Sequence, residues 1–310
     1  MKPVRIATRA SELALVQARL VAERIESALG VATELVTMRT RGDRLPEAFL
    51  AKLGGKGLFV KELEEGLLEG RADLAVHSAK DLPARITPGL EFSSFARRAD
   101  PRDALVARER GATLRELPEG ARVGTGSSRR TAQLRALRPD LRVVPLRGNV
   151  GTRLAKLESE GLDALVLACA GLERLGHAAR IDERLAPELM LPAAGQGLIA
   201  VQGRVRDPLA REVAALSDER TEQCLAAERG LVCALGADCD TPVAALAEHV
   251  PSGALRLRAL VASRDGRRVL RHGAESRPEE GAALGAAVAG ALLAEGGAEL
   301  LEALHAEAGA

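Results

Sequence analysis

Tryptophan and tyrosine are absent from this 310-residue chain, and phenylalanine occurs only four times. So few aromatic rings leave little on which nucleobases stack. An excess of positive charge is missing too: 44 Lys and Arg stand against 43 Asp and Glu, a formal net charge of +1. Nucleic-acid affinity comes first from phosphate neutralisation, so this balance excludes a general nucleic-acid binder. Long apolar runs are also lacking. Charges at Arg5, Arg9 and Glu12 interrupt the beginning of the chain, which therefore shows no signal-peptide pattern. The longest uncharged late stretch, Gly281 to Ala294, falls short of the ~20 apolar residues of a membrane span. A cytoplasmic location without membrane association is expected.

Four cysteines (169, 224, 233, 239) and five histidines (77, 177, 249, 272, 305) show no C-x-x-C or H-x-x-x-H spacing. No metal site is expected, and in a reducing compartment no disulfide. Lysine is scarce as well: six of the 44 basic residues, at 2, 52, 56, 61, 80 and 156. Arginine keeps its charge at any accessible pH and grips carboxylate or phosphate with a planar fork. For most of these residues the simpler account is compositional bias.

What is present is an ordinary globular composition, 46% hydrophobic and 28% charged, on a length that suggests two or three domains. Val4–Ala7 reads as a strand and Ser11 as an N-cap. Leu13, Val16, Leu20, Ile25 and Leu29 then read as one helical face. A strand near Glu34–Thr37, a Gly- and charge-rich connection over 39–57, a helix near 59–69 and a strand at Asp73–Val76 follow. Strands alternating with helices predict α/β units with parallel pairing.

The plan then repeats. Arg5-Ile6-Ala7-Thr8-Arg9-Ala10-Ser11 parallels Arg122-Val123-Gly124-Thr125-Gly126-Ser127-Ser128, each a strand running into a helix start. Glu69-Gly70 before Asp73-Leu74-Ala75-Val76 is echoed by Glu160-Gly161 before Asp163-Ala164-Leu165-Val166. Two matches in the same order predict two similarly built lobes facing a cleft. Ligands of such sheets lie beyond the carboxyl ends of the strands, where helix N-termini favour an anion. Leu198–Val201 reads as a strand crossing back, and roughly 217–235 as a helix ending at Gly236. Val243–Ala247, Leu255–Ala262 and Arg267–Arg271 then read as strands and 279–295 as a helix, a third, smaller domain. The expected boundaries are 1–96 plus 197–215, 97–196, and 216–310.

Nucleotide signatures fail on inspection. Lys52-Leu53-Gly54-Gly55-Lys56-Gly57 lacks the spacing and hydroxyl of a phosphate loop, and the G-x-G-x-x-G pattern begun at Gly124 ends on Arg129. What survives is a set of cations at loop positions: Arg9, Lys52, Lys56, Lys80, and the clusters Arg129-Arg130 and Arg147…Arg153. Arginine at a helix start opposes the helix dipole unless an anion sits between them, so these residues point to an anionic ligand. Lys80-Asp81 places a carboxylate beside a cation at a strand end, suited to proton transfer or to stabilising positive charge. On the residues alone a helix-start cap or a simple ion pair is the favoured account. Cys169 reads as core, and Cys224 and Cys233 as helical and structural. Cys239 lies in the turn-rich Gly236-Ala237-Asp238-Cys239-Asp240-Thr241-Pro242, where a bystander and a reactive thiol both remain open.

These segments together resemble the porphobilinogen deaminase (hydroxymethylbilane synthase) family almost end to end. The match runs through Thr40-Arg41-Gly42-Asp43, Gly54-Gly55-Lys56-Gly57-Leu58-Phe59 and His77-Ser78-Ala79-Lys80-Asp81-Leu82-Pro83. It continues through Asp100-Pro101-Arg102-Asp103, Leu146-Arg147-Gly148-Asn149-Val150-Gly151-Thr152-Arg153 and Pro192-Ala193-Ala194-Gly195-Gln196-Gly197. The resemblance implies three α/β domains, the first two similar to the lobes of periplasmic binding proteins. It implies a transferase of haem and tetrapyrrole biosynthesis that joins four porphobilinogen molecules head to tail, releasing ammonia, into hydroxymethylbilane. A covalent dipyrromethane cofactor primes growth, and Cys239 matches its thioether anchor.

Each pyrrole carries an acetate and a propionate, a load suited to charge-assisted contacts. By the resemblance, Lys80, Ser78, Thr125, Ser127, Arg129, Arg130 and Arg147 would bind the cofactor, and Arg9, Ser11, Arg153 and Gln196 the substrate. Asp81 matches the catalytic aspartate, which would stabilise a cationic azafulvene-type electrophile and pyrrole N–H groups. Lys52, Lys56 and Phe59 would belong to a covering loop, and the enzyme would be a monomer. Two positions depart from the family: Asp238 stands where Gly usually precedes the cysteine, and Ser128 where Leu is common. A damaged anchor would instead suit a catalytically inactive two-lobe protein that binds anionic ligands. A DNA-binding regulator would need a basic helix-turn-helix segment, which is not evident.

Overall fold

The computed structural model describes residues 2–38, 60–238 and 240–309. In chain order its elements begin with β1 (Val4–Arg9), α1 (Glu12–Leu29), β2 (Thr33–Met38), α2 (Lys61–Leu68), β3 (Leu74–Ser78), β4 (Leu90–Phe95) and β5 (Asp103–Ala107). Next come β6 (Arg122–Thr125), α3 (Ser128–Leu137), β7 (Arg142–Pro145), α4 (Val150–Ser159), β8 (Ala164–Ala168), α5 (Cys169–Arg174) and β9 (Glu183–Leu185). The chain continues with β10 (Ile199–Arg204), α6 (Pro208–Ala214), α7 (Glu219–Leu235), β11 (Val243–His249), β12 (Leu255–Ala262), β13 (Val269–Ser276), α8 (Gly281–Leu292) and α9 (Ala298–Gly309). Two compact units result, Met1–Ala99 with Leu198–Glu222, and Asp100–Gly197 with Gln223–Ala310.

The first unit is built on a sheet of order β2-β1-β3-β10-β4. β1 runs parallel to β2 and β3, while β10 returns antiparallel between β3 and β4. Ser11 caps α1 by accepting from Ala14 N–H at 3.4 Å, and Gly30 ends it in the left-handed region with φ 67°. The buried stripe of α1 is only in part the expected one: Ile25 lies in the core and Leu29 packs against it. Gln17, Ala18, Val21, Ala22 and Ile25 face the core, whereas Leu20 is 43% exposed. Residues 18, 21, 22 and 25 follow the i, i+3, i+4, i+7 spacing, and small alanines let the helix approach the sheet where larger side chains had suggested another face.

The second unit repeats that order of pairing. Its first sheet runs β7-β6-β8-β5-β9, with β6 parallel to β7 and β8, and β5 antiparallel between β8 and β9. The internal repeat read from short sequence matches is thus a repeat of topology. A separate antiparallel sheet, β11-β12-β13, follows. One of its faces packs against α7, α8 and α9 through Leu231, Leu257, Val261, Val288, Leu292 and Leu301. The other meets α3, where Ala132 and Leu191 join Ala244, Leu246, Leu260 and Ala262 in one apolar cluster. Helix α3 therefore lies between two sheets, which explains why Arg129, Arg130, Ala132, Gln133 and Leu134 are all buried on it.

Pro278–Leu304 is apolar enough in composition to match a membrane span over 27 residues. It is no continuous helix: Gly296, at φ 98°, breaks it between α8 and α9. Val288, Ala289, Leu292, Leu300 and Leu304 on this stretch are buried in the core of the third sheet.

Candidate active site

In the first unit the expected residues gather at the carboxyl ends of two neighbouring parallel strands. β1 ends on Arg9 and leads to Ser11, and β3 ends on Ser78 and leads into a 3-10 turn, Ala79–Asp81. Pairing of Ala7 with Ala75 places the two ends side by side. Ala79 N–H donates to Leu198 O at 3.1 Å, which ties the turn to the start of the returning strand. The Ser78 hydroxyl lies 3.1 Å from the side-chain amide of Gln17, a buried residue of α1. Ser11 uses its hydroxyl as the α1 cap. Asp81 is half-buried and makes no hydrogen bond or ion pair with any described residue.

His77 precedes this group and is buried in β3. Burial, helped by the charge of Arg9, pushes its pKa down to about 4. It is neutral at physiological pH and serves as packing.

In the second unit, β6 and β7 end together in the same way. Leu146 N–H donates to Thr125 O at 3.1 Å. The backbones then pass so closely that a Cβ on Gly126 would strike Leu146 O. Ser127 caps α3 by accepting from Arg130 N–H at 3.4 Å, and Asn149 caps α4 by accepting from Thr152 N–H at 2.8 Å. Arg147 stands half-buried between these caps with no hydrogen bond or ion pair among the described residues. Arg153 reaches back from α4 to donate to Gly148 O at 2.8 Å.

Arg129 and Arg130 are engaged by the chain's own Asp103, fully buried at the start of β5. Arg129 donates to the two carboxylate oxygens at 2.8 and 3.2 Å, and Arg130 donates to one of them at 3.0 and 2.7 Å. Gln196, expected as a substrate contact, is buried in the same cluster and donates to Asp103 at 2.8 Å and Pro101 O at 2.7 Å. Burial drives the Asp103 pKa up, but the two guanidinium groups outweigh it and hold the carboxyl well below the usual range. Two cations against one anion leave a net positive charge in a site of little exposure. Arg129 Nε and Ser128 Oγ are also buried without a partner among the described residues. The group accordingly has charge and hydrogen-bonding capacity left for an external carboxylate.

The motifs assign no partner to five residues that the structure shows engaged. Arg174, at the end of α5, donates to Gly197 O at 2.8 Å, and burial lowers its pKa. Asp103 lies 26 residues from Arg129, so no local pattern could pair them. Gln17 and Glu228 act through partners distant in the chain. Asp238, the departure from the family pattern, accepts from Asp240 N–H and Thr241 N–H, both at 3.1 Å, and from the Thr241 hydroxyl at 2.8 Å. An Asx turn of this kind supplies by side chain what glycine supplies by conformational freedom.

Cys169 is buried with its pKa pushed up to about 12, chiefly by burial, and is inert as a nucleophile. Cys224 is buried and Cys233 exposed. The expected anchor Cys239 and the expected loop residues Lys52, Lys56 and Phe59 lie outside the described residues. Among the described residues no three His, Cys, Asp or Glu side chains are grouped to hold a metal ion.

The chain matches two family models. "Porphobilinogen deaminase, dipyromethane cofactor binding domain" covers residues 4–212 and "Porphobilinogen deaminase, C-terminal domain" covers 222–294. It is 50% identical over 302 residues to a porphobilinogen deaminase of Roseiflexus sp. (strain RS-1), covering 96% of this chain and 97% of that protein. A porphobilinogen deaminase of Moorella thermoacetica is 47% identical over 311 residues, covering 100% of this chain and 99% of its own length. Among solved structures, the periplasmic substrate-binding protein of an ABC transporter from Coxiella burnetii aligns at 16% identity with a TM-score of 0.42. That alignment covers 69% of this chain and 91% of the other.

Asp103→Asn leaves two guanidinium groups buried against a neutral amide. A loss of about 3–5 kcal/mol is expected, read as a lower urea midpoint. His77 gives the pH dependence of stability. Its depressed folded pKa contributes stability that is fully present above pH 6.5 and lost as pH falls towards about 4. The loss reaches about 3 kcal/mol, and Asp103 adds its own loss only at lower pH. Unfolding free energies measured from pH 7 to 4 should flatten in His77→Gln.

Proposed function

The chain belongs to the porphobilinogen deaminase family, and we propose that it joins four porphobilinogen molecules head to tail into hydroxymethylbilane, releasing ammonia. The single observation that carries the assignment of roles is the contrast between two sets of polar groups. Arg129, Arg130 and Gln196 are tied to Asp103, whereas Asp81 and Arg147 sit half-buried at strand ends with no partner among the described residues.

The donor set fits a dipyrromethane with its acidic side chains. Buried, unpartnered Arg129 Nε and Ser128 Oγ and the uncommitted Arg147 supply what carboxylates require; Thr125 and Ser127 lie at the end of β6 in the second unit, and Ser78 and Lys80 at the end of β3 in the first. When bound through Cys239, the cofactor supplies the free α-carbon from which the chain of pyrroles grows. Arg9, Ser11 and Arg153 hold substrate carboxylates. Of the expected pair Arg130 and Gln196, the first contributes field and the second positions Asp103. Asp81, with both oxygens unengaged, stabilises positive charge as the amino group leaves and accepts pyrrole N–H bonds. Fixed charge of this kind acts where charge develops, without reorganisation.

The domains read as 1–96 with 197–215, 97–196, and 216–310, a division supported by three separate sheets. A cytoplasmic monomer acting on a small molecule, without nucleic acid or membrane, completes the reading.

Intact mass of the purified chain should exceed the polypeptide by two pyrrole units. Cys239→Ser should remove the increment and Cys169→Ser should keep it; an unmodified wild-type mass would refute catalysis on a bound primer. Asp81→Asn should lower kcat by on the order of 10²-fold or more with the adduct retained, and near-normal turnover would remove Asp81 from its role.

A further inference from the structure

The segment Leu191–Gly197 is held from both sides. Towards α3, Leu191 O accepts from Arg129 at 2.6 Å and from Gln133 at 3.0 Å, and Leu191 N–H donates to Gln133 at 2.8 Å. Gln196 then reaches Asp103. Towards the third sheet, Ala245 N–H on β11 donates to Pro192 O at 3.0 Å. Two residues further along β11, Ala247 N–H bonds to a side chain and not to a backbone carbonyl of the segment. Ala247 N–H and Gly195 N–H are both donors, and two donors cannot bond to each other.

Glu228 joins them. It is fully buried on α7, and its carboxylate accepts from Ala247 N–H at 2.8 Å and from Gly195 N–H at 2.6 Å. Burying a carboxylate is costly, and an apolar residue with regular strand pairing would stabilise the same contact at less expense. A charged acceptor at this point gives a fixed register between the segment and β11. Because the same segment carries Leu191 O and Gln196, its register determines where the guanidinium of Arg129 and the carboxylate of Asp103 come to rest.

We propose that Glu228 is a positioning residue for the condensation reaction: from α7 it sets the Leu191–Gly197 segment, and that segment sets Arg129 and Arg130. The proposal rests on reading those arginines as carboxylate-binding residues. Glutamine at 228 keeps one acceptor oxygen but turns its amide towards the other donor, so one of the two bonds fails. Aspartate keeps the charge and shortens the reach by one methylene.

The test uses the full-length chain carrying its cofactor. In Glu228→Gln, amide hydrogen exchange should rise about tenfold in peptides spanning 191–197 and 127–131, with little change in β12. The KM for porphobilinogen should rise about tenfold with a smaller change in kcat, as expected for misplaced binding groups. Combination with Gln196→Ala should give less than the product of the two single effects on KM, since both act through one segment. Glu228→Asp should fall between wild type and Glu228→Gln, and it carries the test if the glutamine variant does not fold. Faster exchange with KM and kcat within twofold of wild type would reduce Glu228 to a structural contact and overturn the proposal, as would strictly multiplicative effects. A wild-type chain with neither adduct nor turnover would instead overturn the functional reading and this role together.

Discussion

Asp103, buried between Arg129 and Arg130, is the interaction on which the polar cluster of the second unit depends. Its carboxylate is reached by both guanidinium groups and by the amide of Gln196, so three side chains from distant parts of the chain meet at one anion. The geometry needs arginine in particular. Arg130 directs Nε and one terminal nitrogen to Asp103 while the other terminal nitrogen donates to Val166 O at 3.1 Å. A lysine ammonium cannot present donors in that planar fork. The arginine-rich composition thus has a structural use here, whatever its origin elsewhere in the chain. With two positive charges facing one negative charge, the cluster also carries a net positive charge.

The two units solve the same problem with the same topology. In each, parallel strands end beside one another, a short turn follows, and a hydroxyl residue caps the next helix: Ser11 on α1 in the first, Ser127 on α3 in the second. Capping uses the hydroxyl and orients the turn. Ser11, which the family resemblance assigns to substrate, carries a cap bond as well. Asp81 carries no such load, and its availability follows from its place in a single 3-10 turn rather than within a longer helix.

Most of the architecture was legible because it is written in local patterns. Alternation marked β12 along Leu255–Ala262, Gly236 marked the end of α7, and paired short motifs revealed the repeated lobe. The misplaced face of α1 came from weighting large side chains over Ala18 and Ala22. At the site, residue identities were legible and their employment was not. Arg129 and Arg130 were expected to meet ligand directly, and their internal partner could not be seen because Asp103 belongs to a different strand. The same limit hid Glu228, whose sequence neighbours on α7 give no hint of Gly195 or Ala247. Motifs report which residues are present, while long-range pairing decides which remain free.

That distinction changes how Pro192-Ala193-Ala194-Gly195-Gln196-Gly197 is understood. A Gly- and Ala-rich stretch containing one glutamine looks like a ligand-binding loop, with small residues admitting the ligand and the amide contacting it. In the structure the small residues admit protein instead: the third sheet on one side and α3 on the other. Gln196 is 1% exposed and contacts Asp103, so its amide recognises a carboxylate that the chain itself provides. The motif is therefore best regarded as a joint between the arginine cluster and the domain whose helix α7 leads towards Cys239. On the proposed reading of the arginines as carboxylate-binding groups, such a joint matters because the binding energy of acidic side chains helps catalysis only if their anchor points hold a fixed geometry.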